Sequence, residues 1–96
     1  MNLKMNEHLT SVEFFAGDPD RLERNGIRIR YEFDNGYGAS IIRHQFSYGG
    51  DRGLWELAVT VGGEVYTDSL ITDDVLGFLS EQDLIETLIK IKELKT

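Results

Sequence analysis

The sequence predicts an α+β fold, in which an antiparallel meander of about four strands carries a C-terminal amphipathic helix on one face. Three observations predict it. Residues 27–33 alternate apolar and charged side chains, which is the period of a half-buried strand. Residues 35–63 place glycines between apolar runs, a pattern typical of turns between strands. Residues 80–92 repeat apolar side chains at helical spacing behind a capping sequence, which indicates a helix.

Turn signals separate the predicted strands. Asp34-Asn35-Gly36 predicts a hairpin, because Asn and Gly tolerate positive φ, and Gly62-Gly63 predicts a second, two-residue hairpin. The segment 54–61 is apolar at nearly every position, so we expect it to be the central strand. The four strands are predicted at residues 27–33, 39–46, 54–61 and 64–67.

The remaining segments complete a single domain of 96 residues. Within residues 1–26, residues 8–15 are compatible with a strand. Asp18-Pro19 and Asn25-Gly26 predict a short helix near 19–25. Thr72 and the acids after it predict a short helix over 72–78, and the Ser80–Asp83 capping box starts the main helix.

Composition narrows the class of protein. The chain has no cysteine, which excludes disulfides, thiolate metal sites and cysteine nucleophiles. Its net charge is −7, which disfavours a general binder of phosphate backbones. The charge is uneven, with −2 over residues 1–62 and −5 over residues 63–96. The sequence contains no apolar run of membrane-spanning length, so we expect no membrane contact and a cytoplasmic location.

The central part of the chain resembles a set of small, uncharacterised bacteriophage and prophage proteins. The resemblance is carried by NGYGAS (35–40), SYGGDRGLWELAV (47–59) and TDDVLGFL (72–79). With the acidic start of the helix that follows, SEQDL, it covers residues 35–84. Residues 1–26 fall outside the resemblance, which implies that they are an N-terminal extension. The resemblance also implies an accessory protein in the cytoplasm of a bacterial host. It supplies no catalytic residues.

A basic stripe is the main candidate for partner binding. Arg28 and Arg30 share the polar side of one predicted strand, and Arg43 lies on the strand expected to pair with it. Depending on the register, the three form a stripe with Tyr37 or Tyr48 at its rim, suited to RNA, a nucleotide or an acidic partner. The alternative is cross-strand pairing with Glu32 and Glu56 on a solvated face.

Two further candidates have structural alternatives. Asp73 and Asp74, with Asp68 and Glu64, suggest a divalent cation site or an acidic docking patch, or they compensate a helix dipole. The loop 47–53 is rich in glycine but lacks the lysine of a P-loop, so a wide turn is favoured over a phosphate site. Trp55 is expected to anchor the core.

These observations favour a non-enzymatic protein that binds a host or phage macromolecule, with inhibition of a bacterial defence system as one implied action. We expect a protein partner, no cofactor, no metal and no direct nucleic acid binding. A self-associating homo-oligomer is one alternative. The other is an acidic mimic of nucleic acid, built from the carboxylates of the C-terminal third.

Overall fold

The computed structural model describes residues 6–17, 20, 25–45, 47–65 and 75–94. Within them the predicted α+β architecture is confirmed, with a five-strand antiparallel meander and one C-terminal helix packed against it. A sixth strand pairs with the edge of β4 that also carries β5. The elements are β1 (Leu9–Phe15), β2 (Gly26–Glu32), β3 (Tyr37–Arg43), β4 (Trp55–Val61), β5 (Glu64–Val65), β6 (Leu76–Leu79) and α1 (Glu81–Lys92).

The sheet has two chemically different faces. In β2, Ile29 and Tyr31 are buried, whereas Arg30 and Glu32 are exposed. We call the side of Ile29 the helix face, because α1 packs there against Ile41 and Leu57 on the neighbouring strands. The other side, which carries Arg28, Arg30, Ser40 and Glu56, is called the open face.

The predicted hairpins form. Gly62 and Gly63 have φ of 61° and 87°, which fits the two-residue turn whose twist matches antiparallel strands. Gly36 has φ of 85° and lies within the turn that is closed by a 2.8 Å bond from Phe33 N to Tyr37 O. β4 is an interior strand, with β3 on one edge and β5 and β6 on the other, although β3 is the middle strand in the order β1 to β5.

Helix α1 begins at the predicted capping box. Asp83 N donates to Ser80 Oγ, and Ser80 N donates to Asp83 Oδ2, both at 3.1 Å. Leu84, Leu88 and Ile91 are fully buried against the sheet, because spacings of three and four residues put them on one side of the helix. The core is therefore the layer between α1 and the helix face.

Asn35 fastens the other end of α1 to the sheet. Its Nδ2 donates to the carbonyls of Ile91 (2.9 Å), Lys92 (3.2 Å) and Leu94 (2.9 Å). Its Oδ1 accepts from Tyr37 N at 3.0 Å. Asn35 does not adopt a positive φ, so the predicted reason for this residue is wrong, and the amide serves as a tertiary helix cap.

The strand considered for residues 8–15 is present, whereas one other segment differs from the sequence prediction. Residues 9–15 form β1, which pairs with β2 and belongs to the sheet. Residues 76–78, placed in a short helix, lie in β6, where Leu76 and Leu79 pair with Leu57 and Trp55. A single helical turn has a high nucleation cost, whereas β6 gains ladder bonds along β4.

Parts of several predicted elements lie outside the described residues, including residue 46 of the strand predicted at 39–46 and residues 66–67 of the strand predicted at 64–67. The predicted helix near 19–25 is described only at residues 20 and 25, and the start of the 72–78 prediction is also outside. The N-terminal segment is described from residue 6 onward. No helix within the described ranges is long and apolar enough to cross a membrane.

Candidate binding face

The strand register arranges the open face in rows that run across the sheet. One row contains Glu13, Arg28, Ile42 and Glu56 on β1 to β4. The next row contains Ser11, Arg30, Ser40 and Ala58 on the same strands. Small side chains therefore occupy the centre of this face, and long charged side chains stand on β2 beside them.

Arg28 and Arg30 lie on one side of β2, as predicted. They are two residues apart, so their Cα atoms are separated by about 6.6 Å along the strand. Arg30 is exposed and Arg28 is half-buried. Among the described residues no carboxylate lies within 4.0 Å of either guanidinium, so the predicted alternative of close cross-strand ion pairs is not observed there.

Arg43 lies on the opposite face, so the three arginines do not form one stripe. The register pairs Arg43 with Ile27 and Ile42 with Arg28, and directly paired residues project to the same side of a sheet. The Arg43 guanidinium instead lies 4.3 Å from the centroid of the Trp55 ring. This cation–π contact is made on the helix face.

Tyr48 lies at the end of the Arg28 row together with an unpredicted aromatic residue, Phe78. The side chains are 59% and 55% exposed, respectively. Tyr48 N donates to Glu56 Oε1 at 3.1 Å, and Phe78 N donates to Tyr48 O at 3.1 Å. The glycine-rich loop is thus attached to β4 and β6 at a corner of the open face.

Phe78 has an unusual backbone. Its φ is 57°, in the left-handed region that costs an L-residue about 1–2 kcal/mol. Two glycines permit the geometry. A Cβ on Gly49 would lie 2.9 Å from Phe78 Cα, and a Cβ on Gly77 would collide with Tyr48 Cβ. In the sequence, this contact corresponds to two dipeptides, Tyr48-Gly49 and Gly77-Phe78. They predict a contact only when the pairing of β6 with β4 is known.

The loop before β4 directs its amides inward. Gly50–Arg52 form a 3-10 turn between Gly49 and Gly53, which both adopt left-handed φ. The N–H groups of Gly50, Arg52, Gly53 and Leu54 donate to carbonyls of residues 47–50. A phosphate cradle needs such N–H groups directed at the ligand, so this loop forms a turn, in line with the favoured interpretation.

The predicted acidic sites are not observed as clusters, or they lie outside the described residues. Asp68, Asp73 and Asp74 are not described. Among the described residues no three His, Asp or Glu side chains are grouped closely enough to hold a metal ion. Asp83 is engaged in the capping box, and Glu86 accepts a 3.1 Å bond from Gln82.

Comparison with known proteins yields no relative from which function can be transferred. No family model matches the chain. No curated protein and no solved structure is significantly similar to it. Function is therefore inferred from the side chains that the fold brings together.

Proposed function

We propose that this protein is a non-enzymatic binding module that docks on a host or phage protein through its open face. The observation that supports this most directly is the exposed pair Tyr48 and Phe78, next to a row in which Arg28 has no close carboxylate among the described residues. Aromatic residues and arginine dominate the binding energy of protein interfaces. An aromatic side chain gains most of that energy when a partner covers it.

The backbone of Phe78 supports the proposal. A bulky residue in the left-handed region is strained, and such strain is concentrated at functional positions. Burial of the ring does not offset this strain, because Phe78 is 55% exposed. A role in contacting a partner gives this side chain a reason to be kept there.

The charges of the open face indicate the chemistry of the partner. Arg28 and Arg30 are cations without a close carboxylate in the described part of the chain. An acidic protein surface complements them and fixes orientation. A nucleic acid is less favoured, because the net charge of −7 repels a phosphate backbone at longer range. The resemblance to phage proteins implies a partner in the bacterial cytoplasm, with inhibition of a defence system as the proposed consequence.

Affinity capture from bacterial lysates tests this proposal. The bait is the wild-type protein, and it is compared with the Arg28→Ser/Arg30→Ser double variant and with Phe78→Asn. The charge-matched control is Lys90→Ser/Lys92→Ser, which removes two exposed cations from α1 on the other side of the sheet. We expect one captured protein to be lost with both open-face variants and kept with the control.

Phe78→Asn separates binding from folding. Asn tolerates the left-handed region better than Phe, so we expect an unchanged or slightly higher midpoint of unfolding in urea. Binding of the purified partner, measured by calorimetry, should weaken about tenfold or more. Equal binding by all variants, or the absence of any captured protein in several hosts, would contradict the proposal.

Self-association through β1 is a second candidate. β1 is the terminal strand in the sheet order and has no neighbour on its outer side among the described residues. Seven residues of open strand edge offer backbone groups to a second copy. Sedimentation at micromolar concentration distinguishes the candidates, because a monomer at that concentration excludes a stable oligomer.

A further inference from the structure

The helix face is only partly covered by α1. The helix contacts β3, β4 and β6, so its axis lies over that half of the sheet. Beside it, over β1 and β2, is a cleft of about 290 Å³, and a second cleft of about 360 Å³ shares two of its residues, Ile27 and Arg43. We call this surface the β1–β2 groove, and its main residues are Leu9, Val12, Phe14, Ile27, Ile29 and Arg43.

Apolar side chains are exposed along this groove. Val12 is 44% exposed and Phe14 is 79% exposed. They pair with Ile29 and Ile27 on β2, so all four side chains are on the helix face. Exposed apolar residues that adjoin one another in this way mark a binding surface.

The flank of α1 forms one wall of the groove. Glu81 lines the cleft, and Ile85 and Ile89 follow at intervals of four residues on the same side of the helix. Ile85 packs against the edge of the core, and Ile89 is exposed. The groove therefore has an apolar floor on the sheet, and α1 borders it at Glu81.

The dimensions of this surface match a second helix. Helix α1 lies over β3 and β4, and a second helix would lie over β1 and β2. The two positions are two strand spacings apart, a distance of about 9.6 Å. Packed helices have axes about 8–10 Å apart. β1 and β2 each have seven residues, so the floor is about 23 Å long and accommodates a helix of about 15 residues.

Charge indicates which helix fits. Arg43 is the half-buried cation of the groove, stacked on Trp55, and no described carboxylate lies within 4.0 Å of it. Two acids line the groove together with Arg43, Glu81 in the first cleft and Asp51 in the second. Both are exposed, and Glu81 lies in the first turn of α1, where the helix dipole stabilises it. A carboxylate on the ligand would therefore complement Arg43, whose planar guanidinium can bind it through two hydrogen bonds.

We propose that the β1–β2 groove binds an amphipathic helix of a partner protein. The apolar stripe of that helix packs on Val12, Phe14 and Ile29, and an Asp or Glu at its edge pairs with Arg43. The proposal is independent of the open-face proposal, because it uses the opposite side of the sheet. It defines a second docking surface with its own ligand chemistry.

Selection from a random peptide library tests the ligand class. Peptides of about 15 residues are selected by ribosome display on the wild-type protein, with prior removal of those that bind Phe14→Asp. We expect enriched sequences with apolar residues at intervals of three and four and a recurrent Asp or Glu at one position. An alternating apolar pattern would indicate strand addition at β1 and would overturn the proposal, as would a selection with no enrichment.

Matched variants then locate the site. For a selected peptide we expect Val12→Asp and Phe14→Asp each to lower the affinity about tenfold or more. The control is Val61→Asp, because Val61 is 43% exposed and lies outside the groove; it should change affinity less than about twofold. If an aspartate variant is poorly folded by circular dichroism, the serine variant at the same position replaces it.

A double-mutant cycle tests the charge. Arg43→Gln should weaken binding of the acidic peptide about tenfold and should not weaken binding of the peptide whose acid is replaced by Gln. Equal effects on both peptides would overturn the role of Arg43. Sedimentation of the protein alone tests the remaining alternative, which is that a second copy of the chain covers the groove. A dimer that is lost with Phe14→Asp would show this and would overturn the proposal.

Discussion

On the helix face, Ile41 and Leu57 beneath α1 are fully buried, whereas Val12 and Phe14 on β1 are exposed. Both pairs belong to strands of one continuous sheet and project to the same side of it. The difference is the layer above them, because α1 reaches β3 and β4 and leaves β1 with no comparable cover. A strand pattern thus specifies which side chains share a face, and the position of the helix decides which of them become core.

The largest expected loss of stability comes from a substitution in the layer between α1 and the sheet. Leu88 is 0% exposed and the adjacent Ile89 is 40% exposed. Leu88→Ala should lower the free energy of unfolding by about 2–5 kcal/mol through lost burial and a cavity. Ile89→Ala should lower it by less than about 1 kcal/mol. Urea unfolding followed by Trp55 fluorescence measures both, and similar losses would mean that α1 packs differently.

Urea unfolding also tests whether the half of the helix face over β1 and β2 is uncovered. Phe14→Ala should change the free energy of unfolding by less than about 1 kcal/mol, because the ring gains little from burial in the free protein. A loss comparable with that of Leu88→Ala would show that Phe14 is covered in solution. In that case the contrast between the two halves would be lost.

An intermediate effect is expected where α1 is fastened to the sheet. Asn35→Asp keeps the acceptor for Tyr37 N but removes the NH2 group that donates to three carbonyls at the end of α1. It also places a negative charge at the negative end of the helix dipole. We expect a loss of about 1–3 kcal/mol, measured by thermal unfolding. Asp34→Ala, at an exposed neighbouring position, is the control and should be nearly neutral.

The smallest effect concerns pH. Burial raises the pKa of the Tyr31 phenol above the usual 10.0, because desolvation disfavours the phenolate. The contribution of the neutral phenol to stability is complete below pH 10.0 and is lost as the pH rises through the folded-state pKa. Unfolding in urea between neutral pH and pH 11 should show a steeper alkaline decline for wild type than for Tyr31→Phe. Parallel declines would contradict the burial of this phenol.

Much of the fold was predictable because it depends on local signals. The alternation in β2, the turns at Gly36 and Gly62-Gly63, and the capping box at Ser80 each involve residues that are near in sequence. Their physical causes are strand period, positive φ and unsatisfied helix N–H groups, which a sequence displays directly.

The site was less predictable, because its residues meet through register and strand order. The presence of Arg28 and Arg30 on one side follows from their spacing, but the separation of Arg43 depends on which residue of β2 it faces. Phe78 joins Tyr48 only because β6 pairs with β4. The segment 76–78 was predicted to be helical, since the edge of β4 that it pairs with is not visible in its own sequence.

By itself, the sequence determined the α+β class, the interior position of β4, the turn positions and the start of the last helix. The tertiary structure alone decided three things: that Arg43 stacks on Trp55 on the helix face, that Asn35 caps a helix more than fifty residues away, and that β1 stays partly uncovered. The physical reason is range. Propensity, capping and turn geometry act over a few residues, whereas register and layer coverage depend on contacts between distant segments.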